Sequence, residues 1–574
     1  MTFYRLFLCP AAALAVLSLW ISHLDAQNLK PVAVVSIASV EKNLADIVYL
    51  TRIVGMEDTG KTAQLFGNAL TAGMDKSRPS GLVVIPSGQD FHAVAFVPVT
   101  DLKLLLEVHK EQVGVPKDIG GSILEIGTDQ KAYVKEQVGW AFIAEQQEHL
   151  AVLPADPAQL LADLPAKYNV AVRLMAQNIP TELKQLAIDQ MKAGIKQAAQ
   201  GPAIPGAVPG RGPQPIPGQP NPPAPAPDPQ QAQMLEASMQ QIERLINDAE
   251  DVTIGLAVNP EGKSVSLDLA VTAREGTELA KTMAMQTGIK SSFSGFPLPE
   301  ASLSFRATAA VSDADAALAK KNFDAQREQM KSAMEILSKN ATPEAADTVK
   351  KLTDQVFDLM AESAASKFTD QAMVLVLGPG SLNAAVGSYI PDGAKLEQVL
   401  TEAAKSLNGQ KAEDGSTIEL VLNVGNHGDV KLHRGAMPAS NAVPINKQLF
   451  GEKMSFIIGT GKNSGYLAVG KDGETLLKKV IDRSAAQASQ PVQPFQMTVS
   501  VVPILKFAQS LQPNPLLAGL TASLEQEGGD KLLVTGTAGP RSIAYRIEVQ
   551  EGIIRAGGQI GQMFAPQFGA GLPQ

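Results

Sequence analysis

Apolar residues recur along the chain at two spacings. Between 81 and 99 (GLVVIPSGQDFHAVAFVPV) they alternate, break at Ser87-Gly88, and alternate again, which predicts two strands and a tight turn. From 101 to 113 (DLKLLLEVHKEQV) they follow helical spacing. The same strand, turn, strand, helix succession returns at 373–407, and a strand running into a helix occupies both 31–47 and 301–317. Segment 139–164 is answered by 453–481, 169–186 by 496–511, and a closing hairpin is expected at 252–271 and again at 520–538. This order predicts an internal duplication: two similar α+β lobes at 30–295 and 296–565, each a mostly antiparallel sheet with helices packed on one face, and a flexible tail at 566–574. The second lobe carries extra helices at 312–340 and 343–367. The latter has the Thr342-Pro343-Glu344 start and a stripe of Val349, Leu352, Val356 and Leu359.

Two segments stand outside this periodicity. Residues 1–26 have Arg5, an apolar stretch from Leu6 to Ile21 and Ala26 before a cleavage point, the pattern of a secretory signal. Cys9 is the chain's single cysteine and lies within that segment, so the mature chain has neither disulfide nor thiolate chemistry. Residues 201–229 hold twelve of the 38 prolines and only Arg211 and Asp228 as charges. A segment so composed cannot bury a core and reads as a mobile spacer within the first lobe. The net charge is −9 without a long basic cluster, which argues against a nucleic-acid partner. No transmembrane span is expected in the mature chain.

Residues 46–84 include Tyr49, Leu50, Thr51, Gly55, Gly60, Asp75, Arg78, Pro79 and Gly81. This run resembles a pattern in uncharacterised exported proteins abundant in planctomycete bacteria: a Tyr-Leu-Thr helix, a glycine-spaced helix and an Asp-x-x-Arg-Pro-x-Gly entry into the first hairpin. The resemblance implies an exported bacterial protein and assigns no catalytic residue.

Several motifs invite a chemical reading. Gly55 to Thr62 (GMEDTGKT) fits the P-loop formula through Gly55, Gly60, Lys61 and Thr62, but Glu57 and Asp58 would set two carboxylates beside the phosphates. The expectation is a break between two helices and no nucleotide. Gly459 to Gly465 (GTGKNSG) lacks dinucleotide spacing and reads as a hairpin turn. His427, Asp429 and His433 on one hairpin are weak candidate metal ligands, and His92 beside Asp90 is a weaker pair. Ser39 and Lys42 fit S-x-x-K without the accompanying motifs, so Ser39 reads as a helix cap. Met234, Met239, Met283, Met285, Met330 and Met334 recur along helices and could line an apolar groove, although a core position is the commoner role.

No catalytic residue and no cofactor is assigned. The reading that follows is a non-catalytic binding or structural protein of the bacterial cell envelope, periplasmic, cell-surface or secreted, with an unnamed envelope or extracellular partner or ligand. The alternatives are an extracytoplasmic hydrolase working through carboxylates and a carrier of an apolar ligand. Intact mass of protein isolated from its native host should show a species beginning at Gln27; a dominant species that retains residues 1–26 would refute cleavage there.

Overall fold

The computed structural model describes residues 30–568 apart from 88–89, 129, 152, 201–238, 241, 322, 325–326, 328–342, 409–418 and 439–448. The signal segment, the proline-rich insert and Thr342 lie outside the described residues. The fold is α+β, and its strands pair antiparallel. Among the described residues no helix is long and apolar enough to cross a membrane.

The chain divides into two compact units, one holding 61–189 with residues up to 47 and 251–255, the other holding 48–60, 190–250 and 256–574. In the first unit the strands lie side by side as β8 (Val170–Leu174), β1 (Ala33–Ile37), β2 (Ser80–Ser87), β3 (Asp90–Pro98), β7 (Trp140–Ala144), β6 (Ala132–Gln137), β5 (Ile123–Ile126) and β4 (Lys117–Asp118). In the second unit β18 (Phe495–Ser500), β11 (Leu303–Ala310), β12 (Phe368–Gly378), β13 (Ser381–Tyr389), β17 (Ser464–Val469), β16 (Lys453–Gly461), β15 (Val430–Pro438) and β14 (Glu419–His427) follow one another. On the far side of β18 come β19 (Lys531–Ala538), β20 (Ser542–Gln550), β10 (Ser264–Ala273) and β9 (Ala249–Asn259), part of which belongs to the first unit. From β8 to β4 and from β18 to β14, the succession of pairings matches strand for strand.

Each unit has its own core. In the first, Trp140, Phe142, Phe96 and Val34 form one cluster, while Val134 and Ala141, of opposite parity on β6 and β7, pack with Leu102 and Leu106 of the helix α3 (Leu102–Val108). Asp101 caps that helix by accepting from the Leu104 N–H at 3.0 Å. Short 3-10 helices bring Leu150 and Leu161 onto the Trp140 cluster, so helical segments cover both faces and not one. The WAFIA run of β7 is apolar at every position, so both sides of the strand demand burial.

In the second unit α6 (Gly473–Gln487) places Leu476, Leu477, Val480 and Ile481 against Val374, Ala385 and Ala468. Between them lies the loop carrying Phe293 and Phe296, both fully buried and edge-to-face at 5.7 Å. Gly387 is needed beneath that loop, since a Cβ there would come within 2.5 Å of the Phe293 ring. A lobe boundary at 295/296 thus falls inside one core, because Phe293 and Phe296 pack together although they flank it.

Three further expectations change. Residues 520–527 are not a strand: Asn514 accepts from the Leu516 N–H at 2.9 Å, Pro515 opens the helix α8 (Pro515–Glu527), and Leu520 and Leu524 are buried one turn apart. The closing hairpin is therefore β19–β20. Residues 566–568 of the expected tail belong to helix α9 (Glu551–Phe568), and 569–574 lie outside the described residues. In α4 (Pro343–Ala365), Leu359 of the expected stripe is buried and Val356 is exposed.

Replacing Phe293 by Ala should cost about 3–5 kcal/mol, because the cavity lies between a helix and a sheet that cannot both collapse into it. Urea unfolding checks this. A midpoint close to that of the unchanged protein would mean the loop is not part of the core.

Candidate functional site: an open apolar sheet face

Antiparallel partners point to the same face, so the registers sort the second unit's side chains into rows. One row crosses nine strands as Leu267, Ile547, Val534, Met497, Phe305, Met373, Val386, Leu467 and Ile458. The next, two residues along each strand, is Val265, Val549, Leu532, Val499, Leu303, Leu375, Ala384, Val469 and Phe456. All eighteen positions are apolar and none is buried. Leu267, Leu269, Tyr545, Ile547, Val386 and Leu467 are 38–44% exposed. Phe305, Phe495 and Tyr545 meet edge-to-face along the adjoining positions, with centroids 5.5 and 6.2 Å apart. Gly536 makes room for them, as a Cβ there would come 2.9 Å from the Tyr545 ring.

The opposite face of β12, β13, β17 and β16 carries the core residues Val374, Ala385, Ala468 and Ile457, and where it continues onto β11 it turns polar. Ser304, Arg306 and Thr308 of β11 and Asp370 of β12 are buried. Asp370 accepts from the Ser291 and Thr308 hydroxyls at 2.7 and 2.8 Å and from the Ser292 N–H at 2.7 Å. Burial pushes its carboxyl above the usual range, against the pull of these three bonds and of Arg306. Arg306 is held below its usual value by burial and donates to Gln496 Oε1 at 3.2 Å. This polar set ties the Phe293 loop to the sheet.

Helices adjoin these strands without sealing them. α7 (Val501–Leu511) lies against β12, and α9 lies against β19 and β20. No residue of α7 is buried, although eight of its eleven are Val, Ile, Leu, Pro, Phe or Ala. A closed core would bury one stripe of such a helix and expose the other. Apolar surface solvated on both sheet and helix is the environment of a ligand groove.

The motifs singled out in the sequence fall elsewhere. Gly55, at φ +75°, turns α1 (Val40–Ile53) into α2 (Glu57–Leu70), so Gly60, Lys61 and Thr62 lie inside a helix. The Gly60 N–H is spent on the Met56 carbonyl, and a Cβ there would collide with Thr51, so this glycine serves close packing within a helical hairpin and cannot cradle a phosphate. Ser39 Oγ accepts from the Lys42 N–H at 3.2 Å, while Lys42 Nζ donates to Asp46 at 2.7 Å and Asn169 at 3.1 Å.

The strand β15 begins at Val430, so Asp429 sits in the turn and shares no strand face with His433. His427 bonds Asp482 at 2.7 Å. His433 is buried; its Nδ1 accepts from the Asn423 N–H at 3.2 Å, which leaves the proton on Nε2 to face Thr460 Oγ1 at 3.1 Å, and Thr460 continues to Glu397. Asn423, at φ +54°, stands at a break in the β14–β15 register, and this chain of bonds fixes it. Among the described residues no three His, Cys, Asp or Glu groups converge on a metal position. Of the helical methionines, Met239 and Met283 are buried, Met285 is exposed, and Met234, Met330 and Met334 lie outside the described residues. The methionines of the face are Met373 and Met497, on strands.

In the first unit His92 stacks on His149, with ring centroids 4.0 Å apart and planes 14° from parallel, and neither Nδ1 has a protein partner among the described residues. Burial, followed by the neighbouring His149, pulls His92 down to about 4, and burial lowers His149. Comparison with protein-family models, curated proteins and solved structures finds no match.

The depressed His92 value fixes a sign. Between pH 6.5 and about 4 the unfolded chain takes up a proton that the native imidazole does not, so stability held above pH 6.5 is lost as pH falls through that window. His92→Phe should flatten this slope in urea titrations at stepped pH, and an unchanged slope would refute the assignment.

Proposed function

We propose that the protein is exported to the bacterial cell envelope and works there without catalysis, as a binding protein for apolar ligands, and that its two lobes arose by duplication. The observation that carries the binding role is the pair of nine-residue apolar rows, none of whose side chains is buried. A soluble chain that leaves so much contiguous apolar surface solvated, while burying Asp370 and Arg306 on the other side, is built to cover that surface with something else. Support for duplication is the matched succession of strand pairings from β8 to β4 and from β18 to β14. Support for export is the charged, apolar and small-residue succession of residues 1–26.

The test uses the mature chain from Gln27 and N-phenyl-1-naphthylamine, a dye that fluoresces in apolar surroundings. Saturable binding is expected, reduced at least tenfold by Met497→Asp, which sets a charge in the middle of one row. Val115→Asp, at an exposed site of the first unit, should leave it unchanged. Absence of saturable binding, or equal binding by Met497→Asp with an intact fold, would overturn the reading.

A further inference from the structure

We infer that the ligand of this face is a long unbranched acyl chain laid across the strands, and that the site reads the chain and not its head group. This rests on the apolar-binding role proposed above and narrows it.

Shape comes first. Strands about 4.8 Å apart make the nine-strand rows roughly 38 Å long, and successive same-face residues put the two rows about 7 Å apart, so the surface is long and narrow. Charge is next. Neither row carries a charged or hydrogen-bonding side chain. The polar group nearest an end is His433, paired with Ile458, and both its ring nitrogens are already engaged by Asn423 and Thr460. An extended peptide laid here would leave backbone N–H and C=O groups without partners. A polymethylene chain has none to satisfy.

Area separates this occupant from a second copy of the protein. Two rows of that length, about 12 Å wide with their side chains, offer on the order of 450 Å², whereas a stable pairing of proteins buries about 800 Å² per partner. The branched and sulfur-containing side chains suit the same ligand, since Met373 and Met497 near the centre of one row can adapt to a chain that slides and bends. With no group to fix the head, recognition comes from the number of methylenes covered.

Displacement of N-phenyl-1-naphthylamine from the mature chain by saturated fatty acids of ten to sixteen carbons tests this. A fully buried methylene tightens binding roughly fourfold, so on a half-open face each should contribute about twofold, or on the order of fiftyfold across the series. Hexadecanoate and palmitoyl-lysophosphatidylcholine should compete equally. Val386→Thr and Leu467→Thr keep strand propensity and should weaken hexadecanoate most among the series; thermal melts confirm that they fold. Dye binding that no fatty acid displaces, or displacement independent of chain length, would overturn the acyl assignment while leaving an apolar-binding role. Displacement by an apolar helical peptide alone, or a dimer that Val386→Thr dissociates, would also overturn it. Failure to bind the dye at all would remove the functional reading beneath it.

Discussion

Everything distinctive about this molecule depends on parity in an antiparallel sheet. A strand sends alternate side chains to opposite faces, and directly paired residues share a face, so one choice of register assigns every side chain of every neighbour. Across β10, β20, β19, β18, β11, β12, β13, β17 and β16 that choice aligns two rows of apolar residues on one side, while Val374, Tyr466 and Ile457 point into the core on the other. On the other side β11 presents Ser304, Arg306 and Thr308 and β12 presents Asp370, Ala372 and Val374, all of them buried. The usual economy would bury the rows and expose the polar residues. Here the polar set is buried beneath the Phe293 loop and the apolar set stays half-solvated.

That inversion is costly on both sides, which gives it meaning. A buried carboxylate must be repaid with hydrogen bonds, and Asp370 accepts three. Partly solvated Leu, Ile, Val and Phe forgo stabilisation on the order of 25 cal/mol per Å² left in water. A chain could recover both by exchanging the two sets. The buried polar set sits at the edge of a core formed on the same side of the sheet, where Val374, Ala385, Ala468 and Ile457 pack under α6 with Phe293 and Phe296.

Much of the fold was legible where the signal was local. The β2–β3 and β12–β13 hairpins and the helices behind them follow from alternation that changes to helical spacing within one short window. Segment 520–527 misled because Leu520, Ala522 and Leu524 satisfy both a period of two and a step of four, and only the Asn514-Pro515 start distinguishes them. The β14–β15 hairpin was legible as a hairpin but its register was not, since an irregular strand with Asn423 at positive φ does not announce its pairing. Helices on both faces were missed because alternation was read as if only one side needed cover. The open face was not legible at all. Leu267, Ile547, Met497 and Phe305 come from distant parts of the chain, and their alignment is created by pairing alone. The one signal available was a shared bias, in SLDLAV, SIAYRIEV, FQMTVS and LSFRAT, of large apolar residues at every second position and small or polar ones between.

The most direct measurement is photolabelling of the mature protein with a fatty acid carrying a diazirine near its methyl end, followed by peptide mapping. If the open face is the ligand surface, label should concentrate on Leu267, Ile547, Val534, Met497, Phe305, Met373, Val386 and Leu467 and be competed away by unlabelled hexadecanoate. Competable label concentrated instead on the first unit's helices, or on the exposed residues of α4, with these strands unlabelled, would contradict it.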